Sequence, residues 1–247
     1  MFLQRATWPE VESYLEHSSG IVIPIGSTEQ HGPTGLIGTD AICPETIAAG
    51  MAGAGILVGP TLSIGMAQHH LGFPGSITLR PSTLMAVVND VVTSLAAHGF
   101  THFYFLNGHG GNIATVNAAF AEIWAESSLE RRPSGLCMKT GNWFAGKRVQ
   151  ALARELYGDA DGSHATPSEI ALTWHAYPEL ARDEALDPVR APDGPIRDAV
   201  DYRKRFPDGR IGSEPHRATV AHGERFYEAG LSDALEDYRR FAGTESG

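Results

Sequence analysis

The hexapeptide Thr101-His102-Phe103-Tyr104-Phe105-Leu106 runs without a break into Asn107-Gly108-His109-Gly110-Gly111-Asn112. A short, nearly continuous apolar run predicts a strand buried on both faces. Val116, Phe120, Ile123 and Trp124 then follow at helical spacing. Strand, glycine-rich turn and helix in this order are the grammar of a parallel α/β sheet. The same grammar begins earlier, where Ile21-Val22-Ile23-Pro24-Ile25 leads into Gly26-Ser27-Thr28-Glu29-Gln30-His31-Gly32-Pro33. Pro24 places that strand's end, or a sheet edge, at this point.

The remaining elements are read in the same way. Thr7 caps a first helix with Pro9 in its opening turn. An Ala/Gly-rich helix is expected over 44–55, then a short apolar strand at Ile56-Leu57-Val58. A helix over 81–98 buries Leu84, Val87, Val88, Val91, Val92 and Leu95, and Gly99 closes it. The segment from Asp187 to Gly212, rich in proline, aspartate and arginine, predicts a long surface excursion. No internal repeat or linker interrupts the 247 residues, so one domain over 1–247 is expected.

Composition limits the partners. With 19 basic against 29 acidic residues the formal charge is -10, which argues against nucleic acid or an anionic membrane. The two cysteines, Cys43 and Cys137, cannot make a disulfide framework and suit a reducing cytoplasm. The first residues mix Arg5, Glu10, Glu12, Glu16 and His17 among apolar ones, unlike a signal peptide. No apolar run approaches the ~18 residues of a membrane span. A cytoplasmic protein is expected.

Three segments at predicted strand ends carry the chemistry. The first holds Glu29 and His31, with Asp40 close behind; the second holds His109; the third, Asp161 to Glu169, holds His164 and Glu169. Mixed His, Asp and Glu donors without thiolate suit a catalytic zinc, manganese or iron site. His17, His98, His175 and His222 read instead as solvated or packing residues. The rival reading of 107–112 is a phosphate cradle at a helix N-terminus, in a non-catalytic nucleotide- or phosphate-binding protein. That loop lacks the G-x-G-x-x-G spacing and any following lysine.

Pro24 to Pro33 with Gly38-Thr39-Asp40, His70 before Phe73-Pro74-Gly75-Ser76, Asn107 to Asn112, and His164-Ala165 with Glu169 together resemble the creatininase (creatinine amidohydrolase) family. The resemblance reaches from Trp8 to about Trp174, with an echo in 212–223. It implies a single-domain three-layer α/β/α sandwich with a mainly parallel sheet, assembled as a homohexamer. It implies two divalent ions per chain: Glu29, Asp40 and His109 on one, His31 and Asp40 on the other, with Asp40 bridging. Creatininase takes a further ligand from a glutamate where this chain has Gly111; Glu169 is expected to replace it, as in relatives with the same glycine pair. His164 matches a proton shuttle beside the metals, with Glu169 the second catalytic group. Trp143 matches an aromatic that covers the substrate, and His70 is a further candidate for substrate contact.

The implied reaction is hydrolysis of a non-peptide C–N bond in a small amide, lactam or formamide by a metal-bridging hydroxide. Three departures from creatininase, Ser163 for a carboxylate, Ile170 for a threonine and Thr34-Gly35-Leu36 for His-Leu-Pro, point away from creatinine itself. A family member that processes a peptide-derived cofactor is the other alternative.

Overall fold

The computed structural model describes residues 1–182 and 184–243. Its centre is a three-stranded parallel sheet of β1 (Gly20–Ile25), β2 (His102–Asn107) and β3 (Cys137–Asn142), in that order. The register pairs Ile25 with Asn107 and Asn107 with Asn142, so all three strands finish level with one another.

Side chains alternate across the sheet and build a core on each face. Ile21, Ile23, Ile25, Phe103 and Phe105 pack under α3 (Pro81–Ala96) and α4 (Asn112–Leu129), with α1 (Trp8–Leu15) at the margin. Val22, Tyr104 and Leu106 face α2 (Thr39–Gly53), α5 (Lys147–Leu156), α6 (Pro167–Ala176) and α8 (Val220–Phe241). This is the expected three-layer α/β/α sandwich. Burying each of Phe103 and Phe105 completely contributes about 1.5–3 kcal/mol, so both cores favour the register seen. The short helix α7 (Ala199–Arg205) lies outside the layers. No helix among the described residues is long and apolar enough to cross a membrane.

Three elements differ from the expectation. Ile56-Leu57-Val58 forms only isolated bridges along β1, although Val22 N–H donates to Leu57 O at 2.9 Å and Gly59 N–H to Val22 O at 2.8 Å. Even-numbered residues of β1 face this irregular segment, so Pro24, which lacks an N–H, lies where the regular ladder is already absent. Helix α2 begins at Thr39, and Pro44 lies inside it. That proline releases the Asp40 carbonyl from its helical bond. The carbonyl packs against two strand-end glycines: a Cβ would lie 2.1 Å from it at Gly26 and 2.0 Å at Gly108.

The third correction concerns 187–212, which is not a surface excursion throughout. Tyr202, Phe206 and Ile211 close over Phe73 in a small core of their own. Arg210 is fully buried, paired with Asp208 at 2.7 Å and donating to the carbonyls of Pro188 and Val189. Four apolar groups and one satisfied guanidinium fold the segment back onto the strand ends.

Candidate metal centre

Each of the three strand-end segments delivers its side chains to one place. Glu29 and His31 come from the loop after β1, and Asp40 from the first turn of α2, where a carboxylate meets the positive end of the helix. His109 comes from the β2–α4 loop. Glu169 lies in the first turn of α6, where its Oε1 accepts the Thr166 N–H at 2.6 Å. Glu29, His31, Asp40 and His109 are all buried, and the Glu169 side chain is 15% exposed.

Ligand-capable atoms of Glu29, Asp40 and His109 lie within 4.8 Å of one another, and so do those of His31, Asp40 and Glu169. Asp40 is common to both sets. His164 forms a third such group with Glu29 and His31. Asp40 Oδ1 lies 3.2 Å from His31 Nε2, and Asp40 Oδ2 lies 3.0 Å from His109 Nδ1. Each imidazole is also held by its other nitrogen. His31 Nδ1 donates to Glu29 O at 3.1 Å and His109 Nε2 to Met66 O at 2.9 Å. Backbone acceptors thereby hold one hydrogen on each ring, so that loss of the other proton bares His31 Nε2 and His109 Nδ1.

Asparagines lock the His109 loop. Asn107 Nδ2 donates to His109 O and to Asn142 Oδ1, while Asn107 Oδ1 accepts the His109 N–H. Asn112 bonds to Gly26 O and to the Met66 N–H. At Gly111 a Cβ would lie 2.4 Å from His109 Nε2 and 2.7 Å from Met66 O, so this loop has no room for a side chain there.

Without cations, protons balance the charge. Burial alone would push His31 down, but Asp40, Glu169 and Glu29 carry it up to about 10. His109 is opposed by burial in the same way, and Asp40 and Glu29 raise it to about 9. Burial and the Asp40 charge lift Glu29 to about 7; burial, partly offset by His31, lifts Glu169 to about 7. Burial also opposes ionisation of Asp40, yet His31 and His109 hold its carboxyl well below the usual range. Glu29 Oε1 faces His70 Nε2 at 2.9 Å, and Asp40 Oδ2 faces His109 Nδ1 at 3.0 Å. Three carboxylates, Glu29, Asp40 and Glu169, gathered largely out of water are costly unless positive charge compensates them, and divalent ions would take the place of the imidazole protons. The donor set fits such ions.

A cleft of about 560 Å³ opens over the centre, a size suited to a small-molecule ligand. Asp40, His70, His109, Trp143, Ser163, His164 and Glu169 line it. Trp143 is 3% exposed and also belongs to the α8-side core, so it packs and faces the cleft at once. His70 is buried and turned towards Glu29. Thr34, Gly35 and Leu36 do not line the cleft. Gly35 packs against His31, where a Cβ would lie 2.5 Å from the His31 Cβ, so the departures at 34–36 alter the support of a donor and not the cleft wall. His17, His98, His175 and His222 also lie outside the cleft lining. Sequence reasoning missed Gln30, Tyr202 and His69. Gln30, between Glu29 and His31, was the one with a positional signal.

This arrangement, imidazoles and carboxylates gathered at the carboxyl edge of a parallel sheet, defines a candidate metalloenzyme of the α/β/α class. The family described as creatininase, creatinine amidohydrolase, matches residues 4–237, and the chain belongs to that family. The chain is 32% identical to the creatinine amidohydrolase of Pseudomonas putida, over 96% of each chain. It is 26% identical to the mycofactocin precursor peptide peptidase of Mycobacterium ulcerans, over 96% of this chain and 87% of the relative. It is 24% identical to the 3-dehydro-scyllo-inosose hydrolase of Thermotoga maritima, over 96% and 81%. The fold is similar to creatininase in a manganese form (TM-score 0.85) and to a mutant of Zn-Zn type (TM-score 0.86), each 23% identical and covering 98% of both chains. These relatives are hydrolases.

Proposed function

We propose that this protein is a hydrolase working with two divalent ions, zinc, manganese or iron, and that it cleaves a non-peptide C–N bond in a small amide, lactam or formamide. Glu29, Asp40 and His109 would hold one ion, and His31, Asp40 and Glu169 the other, with Asp40 bridging. The observation that carries this reading is the pair of largely buried donor sets, Glu29, Asp40 and His109 beside His31, Asp40 and Glu169, that share one carboxylate. When bound, the ions supply a water nucleophile at neutral pH and polarise the scissile carbonyl.

The chain's own groups do the rest. His164 Nε2 lies 2.8 Å from Gln30 O and donates to it, which leaves Nδ1 to take a proton and return it to the leaving nitrogen. Burial, with His31 and His70 beside it, keeps His164 neutral, as a proton acceptor has to be. Trp143 supplies an apolar wall for the substrate, and His70, itself part of the cleft lining, orients Glu29. No lysine or arginine is among the described residues that line the cleft, so no cationic side chain is there to pair with the phosphates of a nucleotide. We read residues 1–247 as one creatininase-like domain that assembles as a homohexamer in the cytoplasm, with neither nucleic acid nor a membrane as partner.

The mycofactocin precursor peptide peptidases among the relatives support a second reading, in which the scissile bond belongs to a peptide. One experiment separates the two. Metal-reconstituted and chelator-stripped protein are assayed on lactams, hydantoins, formamides, ureas, creatinine and short peptides. The proposal expects metal-dependent turnover of a small C–N substrate other than creatinine. Creatinine as best substrate overturns the specificity assignment, peptide cleavage alone favours the second reading, and metal-independent turnover overturns the reaction.

A further inference from the structure

Gln30 touches neither ion site, yet its amide is the most connected side chain around the centre. Its Oε1 accepts the Gly32 N–H at 2.8 Å, which fixes which end of the amide carries the nitrogen. Its Nε2 lies 2.9 Å from His70 Nδ1, 3.0 Å from Gly209 O, 3.1 Å from Tyr202 Oη and 3.0 Å from His164 Nε2. Tyr202 Oη donates its own hydrogen to Gly209 O at 2.7 Å. The close packing is built in: Gly209 has φ +88, and a Cβ there would lie 1.8 Å from Gln30 Oε1.

We infer that Gln30 is a positioning residue that sets the tautomers of two histidines by two different groups, its side-chain amide for His70 and its backbone carbonyl for His164. An amide nitrogen only donates, so His70 Nδ1 has to accept and the His70 hydrogen is carried on Nε2. That nitrogen faces Glu29 Oε1 at 2.9 Å, where a lone pair would be repelled by the carboxylate. A hydrogen on His70 Nδ1 would meet the hydrogens of the Gln30 amide at 2.9 Å, so the ring's hydrogen has one place to go. The two hydrogens of the Gln30 amide go to His70 Nδ1 and Gly209 O, so none is left for His164 Nε2; that nitrogen's own hydrogen points to Gln30 O at 2.8 Å, and Nδ1 is left bare. The first assignment holds Glu29 in the orientation in which it could bind an ion, and the second presents the proton acceptor assigned to His164. The functional consequence rests on the metal-hydrolase reading; the tautomers do not.

The two groups are separable by mutation. Gln30→Met keeps the side-chain length, removes the amide and leaves the backbone carbonyl in place. Gln30→Glu replaces the donor with an acceptor and demands a hydrogen on His70 Nδ1. The measurement is ¹⁵N NMR of histidine-labelled protein, in which protonated and bare ring nitrogens resonate far apart. The His70 and His164 signals are assigned by their loss in His70→Asn and His164→Asn. In the parent protein both rings should be Nε2–H. In Gln30→Met, His70 should populate both tautomers while His164 stays Nε2–H, and in Gln30→Glu His70 should shift towards Nδ1–H. Zinc affinity should fall by about tenfold or more, the usual effect of losing support behind a ligand. His70 unchanged in both variants, or His70 and His164 disturbed together, overturns the inference. Should Gln30→Met not fold, Gln30→Glu alone decides it. Failure of the parent protein to bind zinc refutes the metal reading and leaves the tautomer result standing.

Discussion

Gly111 packs directly against His109 and the Met66 carbonyl, and substituting it tests the geometry of the centre without touching a ligand. In Gly111→Ala the new Cβ would meet His109 Nε2 at 2.4 Å, against an ordinary contact of 3.4 Å or more, so the ring has to move by about 1 Å. The carbonyl of Met66, 2.7 Å from the same Cβ, is backbone and blocks relief in that direction. The movement breaks the 2.9 Å bond from His109 Nε2 to Met66 O, and a buried N–H left unpaired costs about 1–3 kcal/mol. Gly111 has a helical backbone (φ -62), so alanine returns about 0.5–1 kcal/mol of chain entropy. The net loss of stability is therefore small, at most ~2.5 kcal/mol. Zinc affinity should fall about 10–100-fold, because the bond that orients a ligand is lost. Gly110→Ala is the control, since nothing lies within 4 Å of a Cβ there. Competition titration of zinc against a chromophoric chelator, alongside thermal unfolding of the metal-free proteins, reads both effects. Equal zinc affinity in Gly111→Ala and Gly110→Ala would refute the account of how His109 is held.

His164→Gln should keep its metal while kcat falls by roughly 10²–10⁴-fold on whichever substrate is turned over, and metal loss in this variant would make His164 a ligand. The metal-free protein should lose stability as pH rises from 7 to 10. His31 and His109, raised to about 10 and about 9, stabilise the fold fully below the ordinary histidine value near 6.5 and lose that contribution as they deprotonate. Over the same window zinc affinity should rise, because binding no longer has to displace their protons; denaturant melts and zinc titrations between pH 6 and 10 check both slopes.

The chemistry was legible because it is contiguous. Glu29 with His31, and His109 among its glycines, stand directly after apolar strands, and parallel sheets collect such residues along their carboxyl edge. The resemblance supplied the sharing of Asp40, which spacing alone does not dictate. The segment 187–212 was misread because prolines, aspartates and arginines outnumber the three residues, Tyr202, Phe206 and Ile211, that fold it inward. Their partner, Phe73, is more than a hundred residues away in sequence. The role of Gln30 was hidden for a similar reason: its contacts at His164, Tyr202 and Gly209 are separated from it by 134, 172 and 179 residues. Pro44 concealed the true start of α2, since a proline deep in the second turn reads as a first turn.

The central claim is that two divalent ions share Asp40, and elemental analysis of the reconstituted protein tests it most directly. The parent chain should hold close to two ions, and Asp40→Ala should lose both together, while Glu29→Ala and Glu169→Ala each weaken mainly one. A parent chain that reproducibly retains one ion or none, or an Asp40→Ala variant that still holds two, would contradict it.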